Sequence, residues 1–143
     1  MEIIKTMNRP IKATNDSLNE LFKDIDVVQI KSDGVYEDKA LSDDVVLRIE
    51  DPSVIQTFKE LIAIEKQQRD YQCMCLGDYA IELLKEGELK SIIGFHHGIS
   101  IRYSGWTGDA ELKYADELLT FFFALGLKEP LEKKKRDNDG ARK

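Results

Sequence analysis

Hydrophobic residues recur along this chain with helical spacing in some segments and with strand-like alternation in others. Apolar side chains at i, i+3, i+4 and i+7 predict helices at three places, near residues 14–25, 51–62 and 115–125. Shorter runs of strand-forming residues predict strands at 1–7, 26–30 and 45–49. A helix stop at Gly126 and an Asp51-Pro52 helix start support these boundaries.

The segment from Tyr71 to Asp109 has the pattern of one long β-hairpin. Glu86-Gly87 stands between two runs of strand formers and predicts a two-residue turn, because glycine accepts the positive φ that such a turn requires. Counting outward from this turn predicts four cross-strand pairs: Lys85 with Glu88, Ile81 with Ile92, Cys75 with Gly98, and Cys73 with Ser100.

The element order predicts an α+β fold in which about three helices pack on one face of a mostly antiparallel sheet. Residues 1–127 form a single domain in this prediction, and the charged residues 128–143, which lack periodicity, form a disordered tail. The Phe121–Phe123 run makes the last helix apolar almost all round, which is typical either of a buried helix or of an interface.

Composition narrows the classes of function. At 143 residues with 42% hydrophobic and 34% charged side chains, the chain can bury a core of its own. A formal net charge of -6 argues against binding nucleic acid through phosphates. There is no apolar stretch of membrane-spanning length and the N-terminus lacks the pattern of a secretion signal, so we expect a cytoplasmic protein that does not bind membranes, with two free thiols.

Strand alternation assigns the chemically reactive side chains of the hairpin to one face. The predicted register places Cys73 and Cys75 on the same side as His96 and Arg102, with Tyr79 beside them. The opposite side, which is the more apolar one and the predicted core, carries Met74, Leu76, Ile93, Phe95, His97, Ile99 and Ile101. A bulge at one of the glycines of the hairpin would bring His97, instead of His96, to the cysteine side.

Three interpretations of this face remain open. Cys73, Cys75 and His96 offer thiolate and imidazole ligands that suit Zn²⁺, with a carboxylate of Asp78 or Asp109 needed to complete the set. A cysteine activated by His96, with Arg102 holding an anion, would instead make a thiol-dependent enzyme. The third interpretation, which the sequence alone favours, has the cysteines as half-buried strand residues and the histidines as hydrogen-bonded sheet positions, with no cofactor.

The loop after the hairpin offers two further candidates. Trp106 either covers the core or is an exposed anchor for a partner. Asp109 either caps this loop or pairs with Arg102.

Three motifs of this region resemble a group of small uncharacterised bacterial proteins. They are C-x-C-x-G-D from Cys73 to Asp78, H-H-G-x-S-I-R from His96 to Arg102, and W-x-G-D-A-x-L from Trp106 to Leu112. The resemblance covers roughly residues 45 to 127 and implies a bacterial cytoplasmic setting. Small acidic α+β proteins of this kind include immunity proteins that neutralise toxins, which is an analogy of type.

The sequence thus favours a non-enzymatic module that binds a protein or a small ligand, with a zinc protein or a thiol-dependent enzyme as the alternative. The candidate binding residues share the polar face of the hairpin and its following loop: Cys73, Cys75, Tyr79, His96, His97, Arg102, Trp106 and Asp109. The negative charge of the chain favours a basic protein partner, because opposite charges steer the encounter.

Overall fold

The computed structural model of this protein describes residues 9–67 and 69–141. The predicted strand at residues 1–7 lies outside this range. The helices are α1 (Asn15–Leu21), α2 (Pro52–Leu61), α3 (Ala115–Ala124) and α4 (Glu129–Ala141). The strands are β1 (Val27–Ser32), β2 (Val35–Tyr36), β3 (Lys39–Ala40), β4 (Val45–Ile49), β5 (Tyr79–Lys85), β6 (Glu88–His96), β7 (Ser100–Arg102) and β8 (Ala110–Glu111).

Six of the strands form one antiparallel sheet in the order β4-β1-β5-β6-β7-β8, and β2 and β3 form a separate two-stranded hairpin. The predicted α+β class is therefore confirmed. The three predicted helices correspond to α1, α2 and α3. None of the helices in the described part of the chain combines the length and the apolar character that crossing a bilayer requires.

Side chains at the helix starts explain where α1 and α2 begin. Thr14 and Ser17 form a reciprocal capping box at the start of α1, in which each side chain bonds the other residue's backbone N–H. The carboxylate of Asp51 accepts a hydrogen bond of 2.8 Å from the backbone N–H of Ser53, and Pro52 occupies the first turn of α2. These interactions satisfy N–H groups that have no partner inside the helix.

The inner face of the sheet carries the core. Its fully buried strand residues are Val28, Ile30, Ile81, Leu83, Ile93, Phe95 and Ile101, and the helices add Leu18, Phe58, Leu118 and Phe122 to the same cluster. The predicted core positions Ile93, Phe95 and Ile101 are confirmed. The prediction is wrong for Met74, Leu76, His97 and Ile99, which are exposed because they lie in loops and turns outside the strands. Because side chains alternate along a strand, the intervening residues Ile92, Gly94, His96 and Arg102 belong to the opposite face, called the outer face below.

The β5–β6 hairpin has the predicted turn but not the predicted register. Lys85 pairs with Glu88, whereas Ile81 pairs with Ile93 and not with Ile92. The shift arises because Leu84 pairs with Leu89 while Leu83 pairs with Ser91, which leaves Lys90 as an extra, bulged residue. The bulge places Ile93 opposite Ile81, so that both face the core, and His96, three residues further along β6, lies on the outer face.

The predicted pairs of Cys73 and Cys75 with β7 do not form. Strand β5 begins at Tyr79, so both cysteines lie in an irregular segment, and the partner of Ser100 is His96. The segment from residue 71 to residue 78, called the cysteine loop below, crosses the outer face instead of extending the sheet. Its position next to the β2–β3 hairpin is fixed by a 2.9 Å hydrogen bond from the N–H of Val35 to the carbonyl of Leu76.

Residues Glu129–Ala141 form helix α4, where the sequence predicts a disordered tail. Helix α4 packs on α3, Leu131 contacts the core cluster, and the Nζ atom of Lys134 lies 2.6 Å from a carboxylate oxygen of Asp116. Only a few apolar residues of this segment make contact, so its hydrophobic periodicity is too weak to reveal the helix.

The turn between β5 and β6 provides a test of local conformation. Glu86 and Gly87 have φ values of 53° and 82°, and a Cβ atom on Gly87 would meet no atom within 4 Å. Gly87→Val is therefore expected to cost ~1 kcal/mol or more through the backbone alone, which would lower the melting temperature by a few degrees. Gly87→Asn should be nearly neutral, because asparagine tolerates the left-handed region. Equal melting temperatures for the two variants would contradict this account.

Candidate metal centre

The cysteine loop brings four soft or borderline donor atoms together on the outer face. The Sγ atoms of Cys73 and Cys75 lie 2.6 Å apart. The Sγ atom of Cys75 lies 3.1 Å from Nδ1 of His96 and 3.2 Å from Nε2 of His97, and the Sγ atom of Cys73 lies 3.5 Å from the same nitrogen of His97. These four residues are called the donor cluster below.

Both histidines reach the cluster because the chain reverses between them. His96 is the last residue of β6 and is only 1% exposed, whereas His97 has a φ of 56° and begins the turn to β7. The carboxylate of Asp78 accepts a 2.9 Å hydrogen bond from the backbone N–H of His97 and so holds this turn. The sequence predicted that one of the two imidazoles would face the cysteines, and the turn allows both to do so.

Arg102 and Asp109 hold the backbone of the cysteine loop. The guanidinium of Arg102 donates to the carbonyl oxygens of Cys73 and Cys75, at 2.7 and 3.0 Å. It also forms a two-pronged ion pair with the carboxylate of Asp109, with N···O distances of 2.6 and 2.9 Å. Asp109 in turn accepts a 3.0 Å hydrogen bond from the N–H of Cys73. Of the two alternatives for Asp109, the structure shows the pairing with Arg102; the N–H that its carboxylate also binds belongs to the cysteine loop and not to the loop of residues 104–109.

These contacts change the expected ligand set. The two carboxylates that the sequence offered as a fourth ligand are engaged elsewhere, Asp78 with a backbone N–H and with Lys133, and Asp109 with Arg102. The imidazole of His97, whose Nε2 atom lies near both sulfurs, offers a further donor in place of a carboxylate. The donor cluster is thus of the Cys₂His₂ type, one of the sets that bind zinc in proteins.

The charge states of Cys73 and His96 suit ligand chemistry at neutral pH. Hydrogen bonds, chiefly from Cys75 and then from His97, lower the pKa of the Cys73 thiol to about 7. Burial, followed by the neighbouring Cys73, raises the pKa of the Cys75 thiol. Burial, reinforced by the charge of Arg102, lowers the pKa of His96. A thiolate on Cys73 and a neutral imidazole on His96 are therefore accessible without extreme pH.

A glycine in the middle of β6 makes room for the buried imidazole. A Cβ atom on Gly94 would lie 2.9 Å from Nε2 of His96, which is closer than such atoms approach in proteins. The sequence carried a signal for this role, because a glycine inside a strand often marks a close approach of other groups. We did not assign Gly94 to the site from the sequence.

Two of the predicted site residues lie away from the cluster. Tyr79 belongs to the inner face and packs on Phe95, with ring centroids 6.4 Å apart, and burial raises its pKa to about 12. Trp106 is buried in the core, where its indole N–H donates a 2.9 Å hydrogen bond to the hydroxyl of Ser17. Of the two alternatives for Trp106, the structure shows the cover over the core, and the exposed anchor is wrong.

A cleft of about 300 Å³ adjoins the cluster, between the β2–β3 hairpin and the outer face. Its floor includes Ile92, Gly94 and His96, and Glu37 and Asp38 lie at the tip of the hairpin beside it. This acidic edge is compatible with the basic partner that the net charge suggests, which stays a prediction.

The chain matches no protein-family model, and neither a curated protein nor a solved structure is significantly similar to it. A hypothesis about function therefore depends on the chemistry of the donor cluster. Its ligand atoms from Cys73, Cys75 and His96 lie within 4.8 Å of one another, close enough for one ion to contact all three.

Proposed function

We propose that this protein binds a zinc ion, or a metal ion of similar preference, through Cys73, Cys75, His96 and His97. The observation that supports this most directly is the convergence of two thiols and two imidazole nitrogens, joined by S···N separations of 3.1 to 3.5 Å. Thiolate and imidazole are the ligand types that zinc prefers in structural sites.

The S···N distances in the cluster are close to those of a tetrahedral zinc site, and the ligand atoms of Cys73, Cys75 and His96 all lie within 4.8 Å of one another. Bond lengths of about 2.3 Å to sulfur and 2.0–2.1 Å to nitrogen place sulfur and nitrogen ligands roughly 3.5 Å apart, and two sulfurs roughly 3.7 Å apart. The three S···N separations need little or no change. The two sulfurs, now 2.6 Å apart, would have to separate by about 1 Å, which small rotations of the cysteine side chains can supply.

Four protein donors leave no open position on the ion, so the centre is suited to a structural role rather than to catalysis. A bound ion would join the cysteine loop to the turn after β6, two segments that the hydrogen bond from the N–H of His97 to the carboxylate of Asp78 also links. Arg102, Asp109 and Asp78 hold the backbone around the ligands, in the manner of outer-shell residues in metal proteins. The metal ion would therefore stabilise the packing of the cysteine loop on the outer face.

Metal content tests the proposal. Protein purified under reducing conditions with zinc supplied is expected to carry about one equivalent of zinc. Cys75→Ser and His96→Ala should each lose most of it and melt at a lower temperature, because metal that binds only the folded state stabilises it. Met74→Ala is the matched control, since Met74 lies between the cysteines in sequence and is 98% exposed.

The variants also separate four-ligand from three-ligand binding. If Cys73, Cys75 and His96 are sufficient to bind the ion, the His97→Ala variant should still bind zinc, although with weaker affinity than the wild type. A protein that takes up no zinc under these conditions, or that holds it equally well in Cys75→Ser and Met74→Ala, would contradict the proposed function.

A further inference from the structure

The two thiols of the donor cluster are close enough to react with each other. Cys73 and Cys75 are both free, both partly exposed, and their sulfur atoms are 2.6 Å apart. The backbone N–H of Cys75 points at Sγ of Cys73, at 3.3 Å, so the first side chain folds forward over the bend toward the second. Solvent reaches this bend, as the exposed side chain of Met74 shows.

The backbone around the pair is held independently of the sulfur atoms. Arg102 binds both cysteine carbonyls, and Asp109 binds the N–H of Cys73. Because these bonds use main-chain atoms, they can persist whether the sulfurs are bonded to each other, to a metal or to hydrogen. The loop is therefore a fixed frame in which only the positions of the two sulfur atoms need to change.

We propose that Cys73 and Cys75 form a thiol–disulfide exchange site that accepts oxidising equivalents from a small-molecule disulfide, and that its oxidation and metal binding exclude each other. This inference rests on the proposed function. One thiolate attacks a sulfur of the small disulfide and releases the first small thiolate, which leaves a mixed disulfide. The second thiolate of the pair then attacks the protein sulfur of that bond and releases the second small thiolate.

The overall exchange is balanced, since the protein dithiol is oxidised by two electrons and the small disulfide is reduced to two thiols. Oxidation removes both thiolate ligands, and His96 and His97 alone are too few to retain a structural zinc ion. A disulfide between residues separated by one position closes a very small ring. Such strained, exposed bonds are the readily reducible ones, so the change is expected to be reversible.

Oxidised glutathione is the probe of choice, because it exchanges with thiols and leaves the neighbouring methionine intact. Zinc-loaded protein treated with it is expected to lose two thiols and two hydrogens of mass, to retain no glutathione, and to release one zinc per disulfide to a chromogenic chelator. Reduction with dithiothreitol followed by addition of zinc should restore the two thiols and the bound zinc. Met74→Ala should behave in the same way.

Single variants resolve the steps. Cys73→Ser and Cys75→Ser should each stop at the mixed disulfide and keep one glutathionyl group, because no second thiol is present. His96→Ala, which weakens the metal site and keeps both thiols, should close its disulfide at least about tenfold faster than zinc-loaded protein.

Other outcomes would overturn the inference. If zinc-loaded protein keeps its zinc after its thiols are consumed, retains glutathione, or does not react at all, the exchange site is wrong while the metal proposal stands on its own zinc content. If the untreated protein carries no zinc and closes its disulfide as fast as His96→Ala does, the proposed function fails and the competition fails with it.

Discussion

Replacing Arg102 with methionine is expected to lower the free energy of unfolding by about 3–5 kcal/mol, as measured by urea unfolding at neutral pH. The side chain of Arg102 is 19% exposed and binds the carboxylate of Asp109 and the carbonyls of Cys73 and Cys75. The methionine variant keeps Asp109 largely buried without its cation and leaves two carbonyl oxygens without donors. Breaking a buried ion pair on one side has a cost of this size.

Arg48→Met is the matched control for this experiment. Arg48 also contacts a carboxylate, with its Nε atom 3.0 Å from an oxygen of Glu50, but both side chains are largely exposed. Exposed ion pairs contribute about 0–1 kcal/mol to the free energy of unfolding, so Arg48→Met should be nearly as stable as the wild type. Equal losses in the two arginine variants would show that the Arg102 contacts do not stabilise the cysteine loop.

The effect of Arg102→Met should depend on pH in a defined direction. Burial of Asp109 raises its pKa, but the hydrogen bonds from Arg102 and from the N–H of Cys73 outweigh it, and the net result is a lowered pKa. A group with a lowered folded-state pKa stabilises the protein fully above its unfolded pKa of about 3.9, and this stability is lost as the pH falls through the folded value. The difference between wild type and variant should therefore be largest near neutral pH and shrink below about pH 4.

Phe122→Ala is expected to cost about 3–5 kcal/mol, the usual range for removing a fully buried aromatic ring. Phe122 is 1% exposed, and its ring lies 6.2 Å from that of Phe58 and 6.0 Å from that of Phe95, the latter edge to face. The substitution leaves a cavity where α3 meets the inner face of the sheet. Thermal or urea unfolding of the variant measures the loss.

The neighbouring residue supplies the control for this cavity. Phe123→Ala removes the same ring from the same helix at a position that is 37% exposed, with the amino group of Lys128 5.6 Å from the ring centroid. We expect Phe123→Ala to lower the free energy of unfolding by less than about 1 kcal/mol. A similar loss in both variants would mean that α3 is not docked through Phe122, and the run from Phe121 to Phe123 would then be an interface.

Local signals predicted the elements well because their causes lie within a few residues. The helix starts at Thr14 and Asp51 follow from side chains that bond the N–H groups of the next turn. The turn at Glu86-Gly87 follows from the tolerance of glycine for positive φ. The assignment of Ile93, Phe95 and Ile101 to the core follows from their alternation with more polar residues.

The register of the hairpin could not be predicted, because the bulge at Lys90 has no glycine to mark it. A bulge changes which face every following residue occupies, so its effect is not local although its cause is a single residue. The sequence pattern also predicts a strand that begins as early as Cys73, whereas β5 begins at Tyr79. The loop that results is stabilised by Arg102 and Asp109, more than 25 residues further along the chain.

The α+β class, the first three helices, the β5–β6 turn and the short list of residues that could bind a metal or react can all be predicted from the sequence alone. Each of these depends on spacing or residue chemistry over a few positions. The burial of Trp106, the helix Glu129–Ala141 and the contacts of Cys75 with both histidines and of Cys73 with His97 follow instead from the tertiary structure. These features depend on which distant segments of the chain pack together. The contacts that stabilise this packing join residues far apart in sequence, so no local pattern predicts them.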